Sequence, residues 1–224
     1  MTHGTSKILN TTPLKTDQFK WVSLQSIEWQ DPTGRQRKWE TAERTTRKGD
    51  VDAIAILTLI TRPSSRDDPQ VLLVSQFRPP VKLSEGDKTT GLTLELPAGL
   101  VDGQESPKDA GLRELKEETG YGDEGATVLE TSLVMNSDPG ASTANMCLLS
   151  VKIDLPSDDS QDPVAQPDEG EFIEKHLIPV KGLYTELKRL QAEEKYAVDA
   201  RLMHLAYGLE LRTLFGLDAS KGKM

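Results

Sequence analysis

Between Gly99 and Tyr121 the chain reads GLVDGQESPKDAGLRELKEETGY, and its punctuation leaves little freedom in how it folds. Ser106 is a good N-cap and Pro107 suits the first helical position. Asp109 falls in the positive first turn, and Gly120 supplies the left-handed residue that ends a helix. A helix over about 107 to 119 is expected. At about 3.6 residues per turn Glu114, Glu117 and Glu118 lie within an arc of roughly 100°, while Leu112, Leu115 and Thr119 face the other way. One side packs and the other presents three carboxylates. Like charges so spaced destabilise a bare helix by roughly 0.2–0.5 kcal/mol per pair, so something must compensate them. Arg113 can neutralise part of the cluster. Mg²⁺ or Mn²⁺, hard cations that prefer oxygen ligands, can take the rest and bridge it to phosphates. A lone Glu-Glu pair would read as a solvated acidic face.

At 224 residues the chain can hold one domain with a full core plus an added element, and 28% charged content implies much exposed loop. The net charge of −9 argues against a nucleic-acid backbone or an anionic membrane surface as partner. An anionic substrate would then need local help from metal and arginine. The single cysteine, Cys147, excludes an intrachain disulfide and suits a reducing compartment: the cytoplasm, with nucleus and mitochondrion as alternatives. His3, His176 and His204 lack zinc spacing, and no secretory or membrane-length apolar run appears. Residues 1–16 carry no acids and read as a disordered tail.

From Lys20 to Trp29 apolar and polar residues alternate, Asp31-Pro32-Thr33-Gly34 is a turn, and 36–45 continues as a strand, which makes an N-terminal hairpin. The segments 51–61, 71–77, 92–96, 127–136, 144–153 and 172–179 read as strands, and 82–91 as a solvated insertion. Two helices, about 180–194 and 198–215, close the chain. Strands interrupted by one central and two terminal helices imply an α/β fold, an α/β/α sandwich around a mixed β-sheet. The simplest division is 1–47, tail and hairpin, and 48–224, the main domain.

Gly99, Glu105, Arg113, Glu114, Leu115, Glu117, Glu118, Gly120 and Tyr121 together resemble the Nudix box, the signature of hydrolases that split a nucleoside diphosphate linked to another group. DPTGRQRKWE, ERTTRK, QFRPP, ELPAGL, SDPG, GEFIE and VDAR, in this order, extend the likeness from Trp21 to about Leu214 and resemble the eukaryotic ADP-ribose (ADP-sugar) pyrophosphatase branch. The resemblance implies Mg²⁺-dependent hydrolysis of ADP-ribose to AMP and ribose 5-phosphate, with Mn²⁺ as a substitute. It also implies a homodimer in which the N-terminal hairpin swaps across to the partner.

Residue by residue, the resemblance makes Glu114, Glu117 and Glu118 metal ligands, with the Ala98 carbonyl completing a metal site. Glu114, Glu118 and Arg113 become catalytic residues. Glu95 lies near substrate and metal or is a buried structural carboxylate. Arg78 is a phosphate-binding arginine, for which its guanidinium fork is suited, or one half of a structural ion pair. Trp21 and Trp39, one from each subunit, sandwich the adenine, with Glu40 and Arg44 candidates for base preference. From the residues alone both tryptophans would be hairpin packing residues, as Trp29 is. Ser137 and Asp138 lie where the terminal ribose docks.

Residues 154–171 hold seven acids, three prolines and no base, too polar to pack and too long for a simple connection. Most of the stretch reads as solvated loop, but Glu171 in GEFIE matches the family's water-activating glutamate, with Asp168 and Glu169 as rivals. Two departures stand out: Tyr121 replaces a commoner aliphatic residue, and Asn145 stands where many bacterial relatives have a glutamate. Other ADP-sugars or dinucleotides such as NADH are alternative substrates. A non-catalytic ADP-ribose-binding module is the alternative of another class, and such a module would be expected to lose box carboxylates that this chain keeps.

Overall fold

A computed structural model describes residues 9–10, 18–65, 68–122 and 125–216. His3 and most of the expected disordered tail lie outside the described residues. The hairpin forms as its pattern requires: β1 (Val22–Gln30) and β2 (Gln36–Arg44) pair antiparallel through all nine positions, with Asp31 and Gly34 closing the turn. It is a two-stranded sheet of its own.

The main sheet is built from β3 (Ala53–Thr61), β4 (Gln70–Phe77), β5 (Leu92–Glu95), β6 (Ala98–Leu100), β7 (Ala126–Thr131), β8 (Met135–Asn136), β9 (Asn145–Asp154), β10 (Glu174–Pro179) and β11 (Ala197–Val198). It is mixed, with β3 parallel to β9 and β5 parallel to β11, and the other pairings antiparallel. Period-two alternation sorts its side chains onto two faces. Ile54, Ile56 and Ile60 of β3, Leu72 of β4 and Leu149 and Val151 of β9 pack with Ala110 and Leu115 of α2 (Pro107–Thr119). Val71 and Leu73 of β4, Leu94 of β5 and Ile178 of β10 turn the other way. They meet Leu183, Leu187 and Leu190 of α3 (Leu183–Glu193) and Leu202 and Ala206 of α4 (Ala200–Leu214). Each fully buried Leu or Ile contributes about 1.5–3 kcal/mol, so both layers are needed. The expected α/β/α sandwich is present.

One irregularity of the sheet positions the candidate site. Because β10 occupies one edge of β4 over 70–75, the pairings of β4 with β3 at 70–72 and with β5 at 74–77 must share the other edge. By the same logic β9 covers one edge of β3, and β4 and β6 share its other edge. The sheet therefore splits between β3 and β4. The chain crosses the split at Leu96–Pro97, where Ile56 N–H donates to Pro97 O at 2.8 Å.

Two expectations need correction, and two short strands carried no signal. Residues 79–88, expected in part as a bare insertion, form α1 (Pro79–Glu85) and a 3₁₀ turn, because consecutive prolines pre-set the first helical turn. The strand over 127–136 is interrupted after Thr131, with a register shift near Leu129. The short strands β6 and β11 carry too few residues to show a period.

Candidate active site

The split in the sheet opens directly onto α2, whose ends are as the sequence predicts. Ser106 accepts from the Asp109 N–H, and Gly120 closes the helix with φ 79°. The helix cannot be a solvated acidic face, since Glu118 is only 2% exposed and Glu114 is largely buried. Gly99 shows how tightly strand and helix meet: a Cβ there would lie 1.9–2.4 Å from the Glu114 carboxylate atoms.

Arg113 organises the exposed part of the cluster. Its Nε and Nη2 donate to Glu105 at 3.0 and 3.2 Å, Nη1 donates to Glu114 Oε1 at 2.9 Å and Glu117 Oε2 at 2.8 Å, and Nη2 also reaches Leu100 O at 3.2 Å. These acceptors, Glu105 first, raise its pKa further. Glu118 is held differently, by the Ala98 N–H at 3.1 Å. Burial, helped by the charges of Glu114 and Glu171, pushes its carboxyl up to about 8. Burial also raises Glu114, against the pull of Arg113.

Across the split, Arg78 at the end of β4 and Glu95 at the end of β5 pair with each other, Nε to Oε1 at 2.7 Å and Nη2 to Oε2 at 3.0 Å. The structural carboxylate expected of Glu95 and the structural ion pair expected of Arg78 are thus one bidentate pair. Glu95 is 7% exposed, and Arg78 Nη1 takes no part in the pair. Burial is the largest single influence on Arg78 and lowers its pKa, but the Glu95 hydrogen bond and the charges of Glu95, Glu118 and Glu171 together outweigh it and raise the pKa. Glu171 lies in the 155–173 loop, where its N–H donates to Asp168 O at 3.1 Å. Of the three loop acids it is Glu171 whose charge bears on Arg78, Glu114 and Glu118, as a minor influence on each.

The donor set suits a hard cation, being carboxylate throughout, with one member buried against its own charge. Among the described residues no three acidic, histidine or cysteine side chains converge on one point. Mg²⁺ does not need them to, because it keeps several waters and binds through one or two carboxylates plus substrate phosphates.

Residues 52–201 match the NUDIX domain model. The chain belongs to the Nudix family. An uncharacterised Nudix hydrolase of Schizosaccharomyces pombe is 42% identical over 204 residues, covering 91% of this chain and 92% of that protein. The Saccharomyces cerevisiae ADP-ribose pyrophosphatase is 39% identical, covering 91% and 84%. The Mus musculus ADP-sugar pyrophosphatase is 38% identical, covering 92% and 88%. A solved structure of an ADP compounds hydrolase superposes with a TM-score of 0.56 at 19% identity, covering 96% of each chain, and so shares the Nudix fold.

Beside the Nudix core, the hairpin docks on the 137–144 loop. Ala42 N–H donates to Ala141 O, Thr143 N–H to Ala42 O, and Trp39 Nε1 to Gly140 O at 3.1 Å. A groove of about 410 Å³ lies between them, lined by Ile27, Trp29, Trp39, Thr41, Pro139, Ser142 and Thr143. Trp29, expected to be a packing residue, is 41% exposed and belongs to this groove. The signal was available: the turn pairs Ile27 with Trp39, so Trp29 and Thr41 fall on the same face. Ser137 and Asp138 are exposed beside it, Ser137 N–H donating to Ala144 O. Glu40 and Arg44 are exposed on the opposite face of the hairpin, paired with Ser26 and Val22. Trp21, 61% exposed, sits at the hairpin base beside Thr45. Asn145 is structural: its side chain accepts from Asp52 N–H and donates to Asp50 O, and Asp52 in turn pairs with Arg47.

Proposed function

We infer that the chain hydrolyses the diphosphate of ADP-ribose to AMP and ribose 5-phosphate with Mg²⁺, Mn²⁺ serving as a substitute. The observation that carries the chemistry is the carboxylate face of α2, where Glu118 is buried and held by the Ala98 N–H and Glu114 is largely buried against β6. The choice of substrate rests on the yeast and mouse relatives named for ADP-ribose and ADP-sugars. Glu114 and Glu118 would be the principal ligands of the cation, with Glu117 in a supporting place and the Ala98 carbonyl completing the site. Bound there, it would polarise the diphosphate and neutralise charge on the leaving phosphate. Arg113, expected as catalytic, acts as a positioning residue, since its donors are committed to Glu105, Glu114, Glu117 and Leu100. Arg78, oriented by Glu95, offers Nη1 to a phosphate oxygen. Glu171 takes the proton of the attacking water as the new P–O bond forms and the anhydride P–O bond breaks.

Trp21 is six residues from Trp39 along the hairpin, counting from its neighbour Thr45, or about 20 Å of strand. The two rings of one chain are therefore too far apart to enclose a base, and a homodimer with exchanged hairpins would bring Trp39 and the partner's copy of Trp21 together. Residues 1–47 would then be the dimerisation and adenine-binding element and 48–224 the hydrolase domain. Ser137 and Asp138 would receive the terminal ribose, and Glu40 and Arg44 would bias base choice. Trp39→Ala is expected to raise KM for ADP-ribose about tenfold, from the roughly 1–3 kcal/mol of one stacked base, with kcat nearly unchanged. An unaltered KM would reject the stacking role.

Among the described residues no helix is long and apolar enough to cross a membrane. The single thiol, Cys147, is buried and fits a reducing compartment such as the cytoplasm. Initial rates with Mg²⁺ across ADP-ribose, other ADP-sugars and NADH test the reading. Highest kcat/KM for ADP-ribose is expected. A clear preference for NADH would move the substrate assignment, and binding without turnover would mark a non-catalytic module.

A further inference from the structure

Helix ends leave their last carbonyls without partners inside the helix. In α2 the Gly120 N–H takes Lys116 O, but two other carbonyls are met from far along the chain. Gln166 N–H donates to Glu117 O at 2.8 Å, and Lys175 Nζ donates to Thr119 O at 2.9 Å. The same ammonium donates to Pro163 O and lies 5.5 Å from the centre of the Tyr121 ring. The Tyr121 hydroxyl donates to Asp162 Oδ1 at 2.7 Å, where Arg62 Nη2 also reaches at 3.1 Å. The approach is so close that a Cβ on Gly120 would come within 2.6 Å of Val164 O.

The acidic stretch is thus no free loop. Its 162–166 segment is the C-terminal cap of the helix that carries Glu114, Glu117 and Glu118, and Tyr121, unusual in place of an aliphatic residue, supplies one of the bonds. Glu171 hangs between two fastenings, Gln166 before it and Lys175 after it. Hydrogen bonds from a charged donor are roughly twice as strong as neutral ones, and a cation at a helix C-terminus also meets the negative end of the dipole.

We propose that Lys175 is a positioning residue: it clasps the Glu171 loop to the C-terminal end of α2, so that the base and the carboxylate face are held as one body. The proposal rests on the reading of Glu171 as the base.

The test is steady-state kinetics with ADP-ribose, together with amide hydrogen exchange, on the full chain. Lys175→Met keeps the length of the side chain and removes its donors. Misplacing a reacting group by about 1 Å costs up to roughly a hundredfold, so kcat should fall ten- to a hundredfold while KM stays within about threefold. Lys175→Arg, which keeps charge and donors, should retain most of the turnover. In a Glu171→Gln background Lys175→Met should add little further loss, because no base remains to be misplaced. The Gln166 amide should exchange faster in Lys175→Met while amides in the middle of α2 do not. Should Lys175→Met fold poorly, Asp162→Asn loosens the same cap at its exposed end and should act in the same direction.

Wild-type kcat in Lys175→Met, or losses from Lys175→Met and Glu171→Gln that multiply in full, would overturn the positioning role and leave Lys175 a purely structural residue. Unchanged Gln166 exchange would overturn the clasp itself. Wild-type turnover in Glu171→Gln would instead overturn the base reading on which the proposal rests, and the exchange of Gln166 would still report on the clasp.

Discussion

Glu118→Gln should abolish turnover and, without Mg²⁺, make the protein more stable. The first effect follows from charge: an amide coordinates a hard cation weakly, and losing several kcal/mol of transition-state stabilisation slows the reaction by roughly 10³-fold or more. Glu114→Gln should do the same. Turnover within about tenfold of wild type for both, at limiting Mg²⁺, would sink the metal-site assignment. The second effect follows from burial. Glu118 has a folded pKa of about 8 against an ordinary 4.5, so the folded protein retains a proton that the unfolded chain has already lost. Its favourable contribution is complete below the unfolded value and is lost as pH rises through 8. The glutamine never titrates. In a chelator, the variant should melt close to wild type near pH 5 and above it by pH 9, each 1 kcal/mol of relief appearing as about 2–4 °C. Adding Mg²⁺ should reverse the order, because only the wild type gains strongly from a cation bound to its folded state. A melting gap that does not change with pH would show that Glu118 carries no buried charge to relieve.

Glu171→Gln keeps the side chain's shape and removes its proton acceptor. The turnover number should fall by about 10² to 10⁴ with substrate affinity nearly unchanged, the range for losing a general base. Asp168→Asn and Glu169→Gln, compared at saturating Mg²⁺ and ADP-ribose across pH, should leave the profile in place. Should Glu169→Gln or Asp168→Asn abolish the acidic limb while Glu171→Gln retains it, the base is another residue of the same loop. The charge distribution favours Glu171, the one acid of the three whose charge bears on Glu114, Glu118 and Arg78.

The helix 107–119 was legible to the residue because both of its ends are local chemistry, a serine with a proline after it and a glycine with positive φ. The hairpin was legible for the same reason, since its turn sets its register. What could not be read is non-local. Nothing in ELPAGL announces that Glu95 reaches back to Arg78, or that Ala98 N–H is directed at Glu118, because both depend on the sheet splitting between β3 and β4. Likewise the seven acids of 154–171 predict a solvated loop, and composition cannot show that Asp158 is caught by Ser64 or Asp162 by Tyr121 and Arg62. Polar loops are fixed by single bonds to distant partners, and such bonds leave no period in the sequence.

The hydrogen bond from Ala98 to Glu118 makes a backbone amide into an observer of the chemistry. The proton on that nitrogen points at the most buried carboxylate of the cluster, so its chemical shift must follow every change there, whether from pH, from a cation or from substrate. A single labelled alanine would let all three titrations be followed in solution without altering one atom of the enzyme.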